Sequence, residues 1–260
     1  MKQNIPALEL KDVRFSYNGS GAFALSGVNI RLRPGQITAV LGPNGSGKTT
    51  MLKLANGRLA PDNGQVLLEE LPLQKYSRRE IGKRISFVPQ AEKISFDYTV
   101  LEYVSMGRAP WLHPLDKPSE EDYKISRQAV RDVGMEKYIH TYVTRLSGGQ
   151  AQLILLARAL AQHTQILVLD EASSQLDLAN KKRFLDILRK LATDGKTILL
   201  STHEPDVAAA VAQKAVLMEN GHVAFAGPMQ EVYTAENLER IYQTPIQLIE
   251  IEGRKVVLWT

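Results

Sequence analysis

The stretch of sequence with the clearest chemical meaning is glycine-rich and lies between a predicted strand, 36–41, and a predicted helix, 48–56. It fits the pattern G-x-x-x-x-G-K-[ST] through Gly42, Pro43, Asn44, Gly45, Ser46, Gly47, Lys48 and Thr49. Such glycines let backbone N–H groups converge on phosphate oxygens, and the following helix adds its positive end. Lys48 would place a charge against the β- and γ-phosphates, and the Thr49 hydroxyl would bind Mg²⁺. A short motif can match by chance, but this strand and helix favour a site for ATP with Mg²⁺.

A pair of carboxylates, Asp170 and Glu171, ends the apolar run 166–169. Taken alone, an acidic pair after a strand is more often a helix cap or a solvated turn. In α/β folds, however, the end of a central parallel strand lies beside the phosphate-binding loop. We therefore expect Asp170 to bind Mg²⁺ through water and Glu171 to polarise the water that attacks the γ-phosphate.

A second glycine-rich turn precedes another predicted helix and contains Leu146, Ser147, Gly148, Gly149 and Gln150. The N–H groups of such a turn can bind an anion, yet the first phosphate site has no obvious use for a second one. Two phosphate-binding turns in one chain therefore suggest a shared nucleotide.

Three single residues fall between or beside these motifs: Tyr17, Gln90 and His203. A lone Tyr on a strand usually packs, a lone Gln is usually a surface residue, and a lone His after a strand is usually structural. Together with the motifs and the segment 174–177, in this order, they resemble the nucleotide-binding subunits of ABC transporters. The resemblance covers essentially the whole chain.

The resemblance implies a role for each of these residues. Tyr17 stacks on adenine, Thr50 belongs to the nucleotide-binding loop, Gln90 contacts Mg²⁺ and the attacking water, and His203 contacts the γ-phosphate. Lys48, Gln90, Glu171 and His203 then form the catalytic group, with Thr49, Gln90 and Asp170 around the metal. Two copies pair head to tail, so that Ser147, Gly148, Gly149 and Gln150 of one copy close over the ATP of the other, with Ser174 and Asp177 at the seam.

Two departures from the family pattern stand out. Ala172 and Ser173 occupy positions where the family usually has Pro-Thr, and Ala151 follows the second turn where a long polar residue is usual. Proline would have fixed the backbone angle after Glu171. We expect an altered rate or stability rather than a loss of activity.

Strand and helix signals place these motifs in an α/β fold. The expectation is a P-loop core with a mostly parallel sheet, an N-terminal antiparallel part with strands at 8–17 and 25–32, and an inserted α-helical subdomain. We predict a single domain, with the core at 1–90 and 163–227, the helical subdomain at about 91–162, and a C-terminal helix and hairpin at 228–260. Within the insert, Ser119 is the predicted cap of a helix with Asp122 three residues on, and Ile125, Ala129 and Val133 mark its buried face.

Composition is that of an ordinary globular protein: 260 residues, 44% hydrophobic and 23% charged, with a net charge of +4. The absence of cysteine excludes disulfides and thiolate chemistry. No apolar run is long enough to cross a bilayer, and the first ten residues lack a signal-peptide core. Basic and acidic residues are interspersed, so we expect no nucleic-acid partner. The expected location is the cytoplasmic face of the inner membrane, through permease subunits.

Residues 96–108 and the C-terminal part resemble the importers of iron-siderophore, haem, cobalamin and related metal chelates or oxyanions such as molybdate. In that group the first region meets a polytopic membrane permease, which works with an extracytoplasmic substrate-binding protein. For Val100 and Val104, burial inside the chain is the stronger expectation than docking. The alternative of a non-transport ABC ATPase, acting in translation or DNA repair, usually requires two cassettes or a coiled coil in one chain. A soluble P-loop kinase or GTPase would lack residues 146–150 and His203.

Overall fold

Strands and helices alternate along most of the chain. In the computed structural model, which describes residues 5–17, 24–92, 94–251 and 254–259, the strands are β1 (Leu8–Phe15), β2 (Leu25–Leu32), β3 (Ile37–Leu41), β4 (Asn63–Leu68), β5 (Leu71–Pro72), β6 (Ile85–Val88), β7 (Ile166–Asp170), β8 (Thr197–Ser201), β9 (Lys214–Glu219), β10 (His222–Pro228), β11 (Ile246–Ile251) and β12 (Arg254–Trp259). The α-helices are α1 (Lys48–Ala55), α2 (Arg78–Gly82), α3 (Val100–Ser105), α4 (Glu120–Asp132), α5 (Gly148–Ala161), α6 (Leu178–Thr193), α7 (Pro205–Val211), α8 (Met229–Val232) and α9 (Ala235–Tyr242). Short 3-10 helices cover Leu73–Lys75, Met106–Trp111, Glu136–Tyr138 and Val143–Arg145. Across these described ranges, no helix has both the length and the apolar character needed to span a membrane.

The central sheet has the order β10-β9-β3-β8-β7-β6. All neighbouring strands pair in parallel except β9 and β10, which form an antiparallel hairpin. Every residue of β3, β7 and β8 is buried, as expected for strands covered by helices on both faces. The carboxyl ends of these three strands meet at one edge of the sheet, and the segments that follow them carry the predicted site.

A second, antiparallel sheet has the order β2-β1-β4-β5. Its buried residues, among them Leu8, Leu10 and Val28, pack in one cluster with Met51 and Leu52 of α1 and with residues of the central sheet. The helix that follows the glycine-rich loop is therefore held between two sheets. This arrangement confirms the predicted P-loop core with an antiparallel N-terminal part.

Helices α3, α4 and α5 pack against one another and form the predicted helical insert. Each begins with a capping box, in which a Ser or Thr side chain and the residue three positions on bond each other's backbone N–H groups. The predicted cap at Ser119 is confirmed. Ala129 and Val133 are buried as predicted, whereas Ile125 is half-buried. Val100 and Val104 are fully buried, which confirms the expectation of internal packing.

The predicted turns at the C-terminal end agree with the structure where it describes them. Asn220 and Gly221, between β9 and β10, have φ values of 49° and 77°, and two positive values in succession are typical of a type I′ turn. β11 and β12 form the second predicted hairpin. Its expected turn at Gly253 and the loop at 18–21 lie outside the described residues.

A buried ion pair ties the insert together. Arg108 Nε lies 2.8 Å from Asp122 Oδ1, and Arg108 also donates to the Ala161 carbonyl at 3.0 Å. Asp122 accepts hydrogen bonds from the Ser119 backbone and hydroxyl at the start of α4. These bonds from Ser119 and from the Arg108 guanidinium lower the pKa of Asp122 to about 2. One carboxylate thus fixes both the start of α4 and its position against α5.

We predict that Asp122→Ala lowers the free energy of unfolding by about 2 kcal/mol at neutral pH, because charge-assisted hydrogen bonds are lost. Urea denaturation of variant and parent would measure the difference. Since the pKa of Asp122 is depressed in the folded state, its contribution is present above the unfolded value of about 3.9 and is lost as pH falls toward 2. The difference should therefore shrink below pH 4.

Asp132 provides a matched control in the same helix. It is exposed and accepts a hydrogen bond from Gln128 within α4 at 2.8 Å, so Asp132→Ala should change stability by less than about 0.5 kcal/mol. Equal losses for the two variants would contradict the role assigned to the Arg108–Asp122 pair.

Candidate active site

The glycine-rich loop turns sharply between β3 and α1. A Cβ at Gly42 would lie 2.4 Å from the Met218 carbonyl oxygen, and a Cβ at Gly47 would lie 2.7 Å from Leu25 Cδ2. Only glycine fits at these two positions, because neighbouring chain segments come too close for any side chain. The close packing holds the loop N–H groups at the start of α1, which is the arrangement that binds phosphate.

The Lys48 side chain lies across this loop. It is only 5% exposed, and its Nζ donates to the carbonyl oxygens of Gly42 at 2.8 Å and Pro43 at 3.0 Å. Nζ also lies 3.6 Å from Glu171 Oε1. Burial lowers the pKa of Lys48, and the Glu171 charge opposes that shift. The amine is thus held at the loop, where a phosphate oxygen could accept from it.

Thr49, Asp170 and Ser201 meet at the end of β7. Asp170 Oδ1 accepts hydrogen bonds from Thr49 Oγ1 at 3.0 Å and from Ser201 Oγ at 2.8 Å. Hydroxyl and carboxylate oxygens are the ligands that Mg²⁺ takes, usually with one or two carboxylates beside substrate phosphates. No group of three or more His, Cys, Asp or Glu side chains that could hold a metal occurs within the described ranges. The Thr49 hydroxyl and the Asp170 carboxylate are thus donors of the type that Mg²⁺ takes.

Glu171 is the centre of the predicted catalytic group. Its Oε2 accepts from Gln90 Nε2 at 3.0 Å and lies 3.1 Å from His203 Nδ1, and its side chain is 11% exposed. Its φ of 45° is positive, and such backbone strain in a residue other than glycine is concentrated at functional sites. All four predicted catalytic residues thus meet at one carboxylate.

An open cleft of ≈ 570 Å³ contains these groups. Its size is within the range of small-molecule sites, and its lining consists of Tyr17, Ala24, Asn44, Gly45, Gly47, Lys48, Thr49, Thr50, Gln90, Glu171 and His203. The Tyr17 hydroxyl shares a hydrogen bond with Thr50 Oγ1 at 3.1 Å. This bond fixes one end of an aromatic ring at the mouth of the cleft, beside the phosphate loop.

The second glycine-rich turn is not among the described residues that line this cleft. Ser147 caps α5, and the Gln150 side chain bonds the Ser147 N–H at 3.0 Å and the Tyr138 hydroxyl at 2.8 Å. Asp177 caps α6 through the Asn180 N–H at 2.8 Å, and it too is outside the cleft lining, as is the half-buried Ser174. The structure therefore brings together one part of the predicted site and leaves the other part elsewhere on the surface.

Besides Ala24 in the cleft lining, two polar residues near the site were not found from the sequence. Ser201 bonds Asp170 and accepts from the Glu171 N–H at 3.0 Å; its only sequence signal was a hydroxyl at the end of a strand. Tyr242 of α9 is the other. Burial raises its pKa to about 12, and the Glu171 charge also raises it. Its buried hydroxyl has no hydrogen-bond partner among the described residues. No local pattern points from α9 to the phosphate loop.

Comparison with known proteins agrees with this geometry. The family model described as ABC transporter matches residues 25–174. A hemin import ATP-binding protein of Nocardia farcinica (strain IFM 10152) is 34% identical over 243 residues, 93% of this chain and 84% of the relative. A metal-chelate type ABC transporter in an inward-facing conformation has a TM-score of 0.85 at 32% identity, over 98% of this chain and 97% of that one. A bacterial ABC transporter cassette solved as a dimer has a TM-score of 0.76 at 28% identity, over 85% and 98%.

The match covers more than half of the chain, and the fold is that of these cassettes along nearly its full length. ATP binding and hydrolysis, which the phosphate loop and the carboxylate cluster predicted, are the activity of this family. The chain belongs to the ABC transporter family, as one of its ATP-hydrolysing subunits.

Proposed function

We propose that the protein drives an importer by closing as a head-to-tail dimer on ATP, with Glu171 as the base in each site. The observation that carries the catalytic part is the convergence of Gln90, His203 and Lys48 on the Glu171 carboxylate. These neighbours fix the Glu171 carboxylate beside the phosphate loop, where it is positioned to accept a proton from a water molecule in the cleft.

The side chains of the cleft divide the work as follows. Lys48 and the loop N–H groups hold the phosphates, and Tyr17 stacks on the adenine. Thr49 and Asp170, with Gln90, would hold Mg²⁺, which when bound neutralises phosphate charge. Glu171 accepts the proton of the attacking water, while Gln90 and His203 orient that water and the γ-phosphate. Because Gln90 and His203 contact Glu171 when the chain is alone, they must partly exchange this contact for one to water or phosphate.

Glu171→Gln should lower kcat at least 100-fold, since removal of a general base costs 10²–10⁴-fold, while ATP still binds. The variant should accumulate as an ATP-bound dimer, measurable by light scattering after gel filtration. Glu136→Gln is the control, because Glu136 is exposed and pairs only with Arg131 in the helical insert in the described structure. Unchanged turnover in Glu171→Gln would refute the role of the base.

The dimer is supported by the two glycines of the second turn. A Cβ at Gly148 would meet nothing closer than Gln175 Oε1 at 3.5 Å, and at Gly149 nothing closer than 3.6 Å, among the described atoms. The fold of the single chain therefore does not need glycine there, so we infer that the close approach comes from outside. Leu178, next to Asp177, is 87% exposed, as suits a seam. The relative solved as a dimer is in keeping with this pairing.

Gly148→Asp separates this second role from folding. An acid in the first turn of α5 interacts favourably with the helix dipole, so the melting temperature should stay equal or rise slightly. The same charge would repel the partner's phosphates, and we expect the ATP-bound dimer of Glu171→Gln to be lost in the double variant. Light scattering with and without ATP, beside calorimetry, measures both effects.

Gly42→Ala gives the opposite pattern. Its Cβ would clash with the Met218 carbonyl at 2.4 Å, so the loop itself must shift and the single chain should bind ATP more weakly and melt earlier. If Gly148→Asp also weakened ATP binding to the single chain, the assignment of Gly148 to the partner's nucleotide would be wrong.

A groove between the core and the helical insert is our candidate for the membrane subunit. It has a volume of ≈ 380 Å³, and its lining is mixed: Ile81, Phe87, Met106 and Pro110 are apolar, whereas Arg58, Arg78 and Arg158 are charged. Met106 is 40% exposed, and Trp111 nearby in the chain is 38% exposed. A groove that offers both apolar and charged side chains suits a short amphipathic helix. We propose that a polytopic permease subunit docks here, which would place the chain at the cytoplasmic face of the membrane.

Met106→Glu should abolish co-purification with a co-expressed membrane permease subunit, because a carboxylate would be buried against the apolar side chains of the groove. Leu115→Glu, at an exposed position away from the groove lining, is the control. Retention of the membrane subunit by Met106→Glu would move the docking site elsewhere.

The cargo is proposed as a metal chelate, such as ferric siderophore, haem or cobalamin, delivered by an extracytoplasmic substrate-binding protein. The support is the similarity to a hemin import protein and to a metal-chelate type transporter. Molybdate or another oxyanion is the alternative, because the substrate is selected by the membrane subunit and the binding protein.

Reconstitution of the complete transporter with binding proteins loaded with iron chelate, haem, cobalamin or molybdate distinguishes these cargoes. Stimulated ATP hydrolysis identifies the cargo, and no response to any of them would refute the assignment to the metal-chelate group. Co-purification with ribosomes or nucleic acid would instead favour a non-transport role.

A further inference from the structure

Helix α5 contacts the segment around Gln90 at two places. Near its start, Gln152 Nε2 donates to the Pro89 carbonyl at 3.2 Å, and Gln152 is only 2% exposed. Two turns later, Arg158 binds Glu92. Gln90 thus lies between two residues that are each held by the same helix.

The second contact is the stronger one. Arg158 donates to both carboxylate oxygens of Glu92, at 2.9 and 2.6 Å, and the Tyr103 hydroxyl donates to Glu92 at 3.0 Å. The Arg158 guanidinium also lies 4.7 Å from the centre of the Tyr103 ring. A bidentate pair fixes both distance and orientation. The bonds from Arg158 lower the pKa of Glu92, so the pair stays ionised near neutral pH.

The same helix begins at the second glycine-rich turn, with Ser147 as its cap. With a rise of about 1.5 Å per residue, α5 is one continuous helix from the turn at Ser147 to Arg158. It thus joins that turn to Pro89 and Glu92, on either side of the Gln90 that donates to Glu171.

We propose that Gln152, Arg158 and Glu92 are positioning residues that couple the two ATP sites of the dimer. The proposal rests on the head-to-tail dimer proposed above. There, Ser147 of one chain closes over the ATP of its partner, while Gln90 of that chain serves its own ATP. Closure at one site is transmitted through α5 and places Gln90 at the other.

The test compares steady-state ATP hydrolysis of the full chain and two variants, at a concentration where Glu171→Gln is dimeric. Gln152→Met keeps the length of the side chain but removes the donor, and Glu92→Gln removes the charge that holds Arg158. Each should lower the Hill coefficient for ATP toward 1 and lower kcat about tenfold, which equals about 1.4 kcal/mol. The ATP affinity of the single chain should not change.

Gln162→Met is the matched control, at the residue that caps the C-terminal end of the same helix. The Gln162 amide also donates to a core carbonyl, that of Ile85 at 3.0 Å, but it lies at the far end of α5. It should lower the melting temperature without changing the Hill coefficient, which separates coupling from stability. The conservative variant Glu92→Asp keeps the carboxylate, so it should retain part of the cooperativity that Glu92→Gln loses.

Three outcomes are distinguishable. Loss of cooperativity in Gln152→Met and Glu92→Gln, with the control unaffected, supports the link. Parental cooperativity in both variants overturns it and leaves the proposed function intact. A parent that forms no ATP-bound dimer even as Glu171→Gln overturns the proposed function and the link together.

Discussion

The site depends on the register of three parallel strands. Val40 of β3 and Asp170 of β7 both pair with Ser201 of β8, so the chain segments that leave these strands start side by side. A slip of one residue in the pairing of β7 with β8 would turn Asp170 to the opposite face of the sheet. This alignment sets the positions of Thr49, Glu171 and His203, because each lies in the segment that follows one of these strands. The strands are fully buried, which leaves little freedom for a different alignment.

This alignment brings together charged side chains that are largely buried. Lys48 is 5% exposed and Glu171 11%, and removing such groups from water is costly unless each is paired. Contacts within the cleft offset that cost: the carbonyl oxygens of Gly42 and Pro43 surround the Lys48 amine, and Gln90 and His203 contact the Glu171 carboxylate. The same partners can be exchanged for phosphate oxygens and water, so the bonds that stabilise the separate chain are those that substrate would replace.

The sequence predicts what depends on local pattern. In the glycine-rich loop, in the acidic pair and at the cap at Ser119, the residues that act together are only a few positions apart. The spacing within each motif therefore suffices to predict its structure. Ser201 was missed because its partners are set by strand pairing, and Tyr242 because its position is set by the packing of α9, not by neighbours in the chain. The contact of Glu92 with Arg158 joins residues 66 positions apart, and no single-sequence pattern encodes that distance. Ile125 shows the same limit in the core, since a helical period marks a face but not how deeply each residue is buried.

The proposed division of the site between two chains depends on how α5 begins. In the separate chain, the capping box of Ser147 and Gln150 satisfies only two backbone N–H groups, whereas a helix start has four without partners inside the helix. The capping box makes α5 stable without ATP, so the remaining N–H groups stay available at an exposed turn. A phosphate of the nucleotide held by a second copy would accept hydrogen bonds from these N–H groups without breaking the cap. Closure of the dimer can then depend on the nucleotide itself rather than on any rearrangement of the helix that receives it.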